Sequence, residues 1–247
     1  MMRKGTLTRI HSIYEGMPYK RFAAVEILAV EAAFRTVWKA TKATFDAHRI
    51  DFSSAAEEDI SSAIVATFDY FWTHHRAKLE TLAGSFSPVP TYDGKTAGVD
   101  YRGKAFDKRP DFAFVRNYTE PGVSALHARF FVEAKLITPK KSMGLYCGQG
   151  LERFVSGKYA WAVSHALMLG YVRDTDQALP DTLKDYLSRN HKNVEYGVNG
   201  DPKPFALSRF KDRMHMTRHR RVWTYPDLKT PPGDIDIYHL WLRVDSI

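Results

Sequence analysis

Apolar residues recur at helical spacing near the start of the chain. Phe22, Val25, Ala29, Ala32 and Ala33 are followed by Phe34, Val37, Trp38 and Phe45, which predicts a helix over 19–47. Alanine and glutamate among them favour that state. A second stripe, Ile60, Ile64, Phe68 and Phe71, predicts a helix over 54–83, capped by Ser53 or Ser54 and ended by Gly84. The period then shortens. Residues 86–92 contain Pro88 and Pro90 and read as an edge strand or a loop. Short apolar runs at 112–115 and 125–137, separated by a turn with Pro121 and Gly122, predict a hairpin. A helix over 148–162 leads to an unbroken apolar run at 166–172, the signature of a strand buried on both faces. Further on, the pattern predicts a helix over 177–189, a loop over 190–204, and strands at 214–223 and 235–244 paired across Pro231, Pro232 and Gly233.

Alternating helices and strands give an α/β class. The 247 residues suit one domain, 1–247, with three parts. These are an N-terminal helical extension over 1–53, a core over 54–175 and a basic C-terminal elaboration over 176–247. Cys147 is the one cysteine, so no internal disulfide forms and a reducing cytoplasm is the expected location. No apolar run reaches membrane-spanning length. The net charge of +8 favours a polyanionic partner, nucleic acid above all. Glu26 and Glu31 on the first helix read as a solvated face, and His239 in the last strand as a packed histidine.

Charge interrupts the hairpin at one end. Pro110-Asp111 precedes the first strand, and Glu133-Ala134-Lys135 lies in the second, 22 residues from Asp to Glu. Side chains at i and i+2 of a strand share a face, so Glu133 and Lys135 point the same way. Pairing of the strands brings Asp111 near them. Two carboxylates beside an amine suit a hard divalent cation and a water.

Asp111 with Glu133-Ala134-Lys135 resembles the PD-(D/E)XK nuclease superfamily, over roughly 55–175. The resemblance implies a restriction-endonuclease-like fold, a mixed central sheet flanked by helices, here with an N-terminal helical extension and C-terminal strands. It implies a metal-dependent hydrolase of phosphodiester bonds acting on DNA, in a restriction or anti-phage defence setting. Catalytic residues would be Asp111, Glu133, Lys135 and Gln149. Mg²⁺ or Mn²⁺ would be held by Asp111, Glu133, the Ala134 carbonyl and Glu57. Glu57 is the acidic residue one turn before Ile60 on the helix that precedes the sheet. Some members carry Gln-x-x-x-Tyr on the helix after the catalytic strand; here Gln149 is followed four residues later by Arg153. Nucleic-acid contacts are expected from Lys140, Lys141 and Arg153. The C-terminal basic cluster would add Arg209, Lys211, Arg213, Arg218, Arg220 and Arg221. A homodimer or a partner protein in a multi-component system fits the same setting, with no membrane.

The alternative is a non-catalytic module that binds nucleic acid or protein on the same fold. Other hydrolase chemistries lack their motifs: there is no His-Glu-x-x-His, no Gly-x-Ser-x-Gly and no P-loop.

Overall fold

The helical stripes and strand runs assemble into a mixed α/β fold, seen in a computed structural model. It describes residues 18–19, 21–48, 51–92, 100–104, 109–118, 123–124, 127–140, 142–175, 177–226 and 231–244. The strands are β1 (Thr91–Tyr92), β2 (Phe112–Phe114), β3 (Phe130–Ile137), β4 (His165–Val172), β5 (Lys203–Pro204), β6 (His215–His219) and β7 (Ile235–Arg243). They form one sheet in the order β1-β2-β3-β4-β7-β6-β5. The hairpin β2–β3 is antiparallel, β3–β4 and β4–β7 are parallel, and β6 returns antiparallel to β7.

One face of the sheet is closed by α1 (Ala24–His48), α2 (Glu57–His74) and α3 (Arg76–Ala83). Aromatic edges carry this layer. Phe34 of α1 meets Phe112 and Phe114 of β2 at 5.3 and 5.6 Å between ring centroids. Trp38 stacks on Tyr171 of β4. The other face is covered by α4 (Met143–Tyr146), a wide π turn over Cys147–Leu151, and α5 (Glu152–Val155). Beyond them, α6 (Leu179–Leu187) buries Leu179, Leu183 and Leu187, and α7 (Asn190–Glu195) follows.

Several expectations change. The second helix is two, because His75 leaves helical geometry at φ −136°, ψ 37°. Its cap is Ala56, whose N–H is taken by Asp59 at 3.1 Å. Ser53 and Ser54 instead bond Asp51. The strand expected from 125 begins at Phe130, after a turn over 127–129. A short helix, α7, stands where a loop was expected. Glu26 and Glu31 are buried, not solvated. Glu26 takes two bonds of 2.8 Å from Arg116 and one of 2.7 Å from the Ala23 N–H. Glu31 accepts from Arg35 and Ser208. His239 is fully buried, as its place in a strand suggested. No helix among the described residues is long and apolar enough to cross a membrane.

Candidate active site

The β2–β3 register places the chemistry. Phe112 pairs with Val132, so the next step along each strand sets Asp111 opposite Glu133. Both then lie on the sheet face that α4 and α5 cover. The Ala134 N–H donates to Asp111 Oδ2 at 2.7 Å, fixing that carboxylate against β3. Lys135 sits on the same face as Glu133. Its Nζ is 2.9 Å from Glu133 Oε1 and 3.9 Å from Asp111 Oδ2.

Glu57, the first residue of α2, completes the group. Its Oε1 accepts from Lys135 Nζ at 3.0 Å and its Oε2 from the Leu136 N–H at 2.6 Å. The Ala134 carbonyl also accepts from Lys135, at 2.5 Å. The ammonium therefore lies among three carboxylates and one carbonyl. Arg153 of α5 reaches Glu133 Oε1 from the covering layer. The same guanidinium nitrogen donates to the Tyr159 hydroxyl at 3.3 Å.

Glycine sets how near that layer comes. A Cβ at Gly150 would collide with Met168 and come within 3.5 Å of Glu133 Cγ. The π turn carrying Gly150 can thus settle on β4 and deliver Arg153 to Glu133. Such wide turns occur often at functional sites.

Burial shapes the electrostatics. Desolvation pushes the Glu133 carboxyl up to about 8, with Asp111 alongside adding to the rise. Desolvation also raises Asp111, to about 6, against the pull of Lys135 and the Ala134 N–H. For Lys135, burial opposes the charge, but Glu133, Asp111 and Glu57 outweigh it and hold its pKa above the ordinary value. Glu133 Oε1 carries both cations, while Oε2 is buried with no hydrogen-bond partner among the described residues. Three carboxylates face two cations.

Would a divalent cation fit? Among the described residues no three His, Cys, Asp or Glu side chains form a ready-made cage. Yet the bare Glu133 Oε2, the excess of carboxylate and an all-oxygen donor set of Asp111, Glu133 and the Ala134 carbonyl suit a hard ion. The residues present fit the group.

The remaining candidates scatter. Gln149 is exposed on the π turn, while Arg153 turns inward onto Glu133. Lys140 is exposed in the loop after β3, and Lys141 lies outside the described residues. Arg209, Lys211, Arg213 and Arg220 are exposed. Arg218 is paired with Asp236 through bonds of 2.6 and 2.9 Å. Arg221 is not a surface contact at all. Its buried guanidinium donates to the carbonyls of Gly233, Ala160, Val163 and Pro232. A polyanion cannot reach it. Tyr159 was not foreseen: the helix expected over 148–162 ends at Val155, and Tyr159 lies in the turns and bends that follow it.

Compared with protein-family models, curated proteins and solved structures, the chain matches none of them.

Proposed function

We propose that this protein is a metal-dependent nuclease on a restriction-endonuclease-like core, hydrolysing phosphodiester bonds in DNA. The observation that carries the reading is the convergence of Asp111, Glu133 and Lys135 on one sheet face, with Glu57 closing the group. The succession of β2, β3, a covering helix and then β4 parallel to β3 supports the same core.

Each residue has a distinct task. Asp111, Glu133 and the Ala134 carbonyl would hold Mg²⁺ or Mn²⁺, which supplies a water of lowered pKa and relieves charge on the phosphate oxygens. Arg153 occupies Glu133 Oε1 and leaves Oε2 for that duty. Asp111 is kept in place by the Ala134 N–H. Lys135, steadied by Glu57, presents a compact positive charge beside the carboxylates. There it orients the attacking water or takes up negative charge developing on the phosphate. The exposed basic residues Arg209, Lys211, Arg213 and Arg220 would draw in DNA by its backbone. A homodimer would allow both strands to be cut, in a restriction or defence setting.

The second reading is a non-catalytic binding module. It is favoured by the Lys135 ammonium, which already compensates Glu57, Glu133 and Asp111. A cleavage assay separates the two. Plasmid, linear duplex, single-stranded DNA and RNA are incubated with Mg²⁺, Mn²⁺ or EDTA, beside Glu133→Gln and Lys135→Met. Cutting that needs metal and vanishes in both variants is expected. Cutting that survives both substitutions, or no cutting of any substrate by the folded wild type, refutes the nuclease.

A further inference from the structure

On the sheet face that carries the candidate site, a cavity of about 320 Å³ opens at the far end of β7. Trp241 and His215 form one wall, their rings 5.5 Å apart. The first turn of α6, with Leu179 and Pro180, forms another, and the segment Lys211–Asp212–Arg213 closes the rim. Trp241 shares a register row with Lys135, through Gly170 of β4. Two strand spacings separate them, about 10 Å.

We propose that this cavity binds one nucleotide unit, with its base against Trp241 and His215 and its phosphate between Lys211, Arg213 and the first turn of α6. Four features support it. Lys211 and Arg213 are exposed and form no ion pair among the described residues. The nine-residue α6 starts at Leu179 after Ala178, with no side-chain cap, so the positive end of its dipole meets the rim; Pro180 supplies no N–H and Asp181 adds a carboxylate there, which leaves Lys211 and Arg213 to carry the anion. An indole offers a face on which any base stacks, worth about 1–3 kcal/mol per base. The exposed Asp212 carboxylate, also on the rim, can accept from a base amino group or a sugar hydroxyl.

Arg243 also lines the cavity but plays another part. Its guanidinium is spent on the carbonyls of Thr175 and Gln177, at 2.7 and 3.0 Å, which ties down the segment entering α6. A second cavity continues around Asp212, Trp241 and Arg243 to the opposite face, where Arg35 stacks over Phe210 at 4.6 Å and Lys39 adds charge. Aromatic rings interleaved with cations on both sides suit a nucleotide better than a bare anion. The nucleotide can be free or part of a strand, and the chemistry is shared.

The test is run in EDTA, so that binding is read apart from cleavage and does not depend on the nuclease reading. AMP, CMP, GMP, UMP and a fluorescein-labelled single-stranded DNA 12-mer are titrated by calorimetry and anisotropy. Lys211→Glu/Arg213→Glu is expected to weaken whichever probe binds by about tenfold or more, with an unchanged melting temperature. Lys78→Glu, an exposed change on α3 outside the cavity, should bind as the wild type does. Mononucleotide binding identifies a free-ligand site, and oligonucleotide binding alone identifies a strand contact. No binding of either probe, or equal binding by the double variant, overturns the proposal. So does inorganic phosphate competing as well as a mononucleotide, because the base would then contribute nothing.

Discussion

Glu57 bridges the start of α2 to β3 through Lys135: its Oε1 meets Nζ at 3.0 Å, while its Oε2 takes the Leu136 N–H at 2.6 Å. One carboxylate thus locks a helix end to a strand 78 residues away in the chain. The same contact orients the lysine on which the proposed chemistry depends. Glu57→Ala removes one partner of the Lys135 ammonium, which keeps Glu133 and the Ala134 carbonyl, and strands the Leu136 N–H. It should cost about 1–3 kcal/mol in urea unfolding. Glu57→Gln keeps an acceptor for Leu136 and should cost less. Equal stability of all three proteins would mean the bridge contributes nothing.

Glu133 should make stability fall with rising pH. Its carboxyl is raised from 4.5 to about 8, so between those values the native state binds a proton that the unfolded chain has lost. Stability therefore declines through that window. Asp111 contributes in the same direction between 3.8 and about 6. The buried histidines His127, His165 and His219, lowered from 6.5 to about 4, oppose both, because the unfolded chain protonates them first. The unfolded histidines finish titrating only at about pH 7.5, and Lys135 titrates beyond the window. In EDTA, the stability difference between the wild type and Glu133→Gln, in which the histidines cancel, should therefore fall by at most about 2 kcal/mol from pH 6.5 to 8. A difference that stays constant over that range would show the carboxyl already ionised at neutral pH.

Two neighbouring arginines should behave oppositely. Arg221 satisfies four carbonyls from two separate loops, 160–163 and 232–233. Arg221→Ala takes the guanidinium from all four, although the Ala160 carbonyl keeps the Val163 N–H at 3.1 Å, and should cost about 3–5 kcal/mol, since each stranded buried acceptor costs about 1–3. Arg220 is exposed, and Arg220→Ala should stay within about 0.5 kcal/mol of wild type. Thermal melting of both variants decides it; similar losses would contradict the assigned roles.

A buried hydrogen-bond chain behind the site has one permitted direction. The Tyr196 carbonyl can only accept, so His219 Nδ1, 2.9 Å away, carries the proton. His219 Nε2 then accepts from Thr217 at 2.7 Å, and Thr217 accepts from His239 Nε2 at 2.8 Å. That leaves His239 Nδ1 to accept from the Tyr146 hydroxyl at 2.9 Å. Nitrogen NMR should find opposite neutral tautomers, Nδ1–H in His219 and Nε2–H in His239. Thr217→Val keeps the shape but strands both imidazoles, costing about 2–3 kcal/mol. Identical tautomers in the two rings would break the assignment.

Much of the hairpin was legible in the chain. An apolar run with charge at one end, and period-two spacing of Glu133 and Lys135, describe a strand whose face carries chemistry. Stepping back one turn from Ile60 found Glu57, because helical spacing is local. The pairing of β6 with β7 followed from two apolar runs and a Pro-Pro-Gly turn. What local pattern could not supply was the state of individual charges. Glu26 is buried because Arg116, 90 residues on, neutralises it. Arg221 belongs to a basic run in sequence yet turns inward to loops that meet only in the fold.

The sequence alone determined where the main helices and strands lie, and that Asp111, Glu133 and Lys135 share one hairpin, since backbone periodicity and turn chemistry act over a few residues. The tertiary structure decided the strand order, the splitting of the second helix, the contact of Arg153 and Tyr159 behind Glu133, and the cavity beside Trp241. Those depend on which distant elements bring opposite charges and matching shapes together, and desolvation, set by the finished packing, decides what each buried charge must find as its partner.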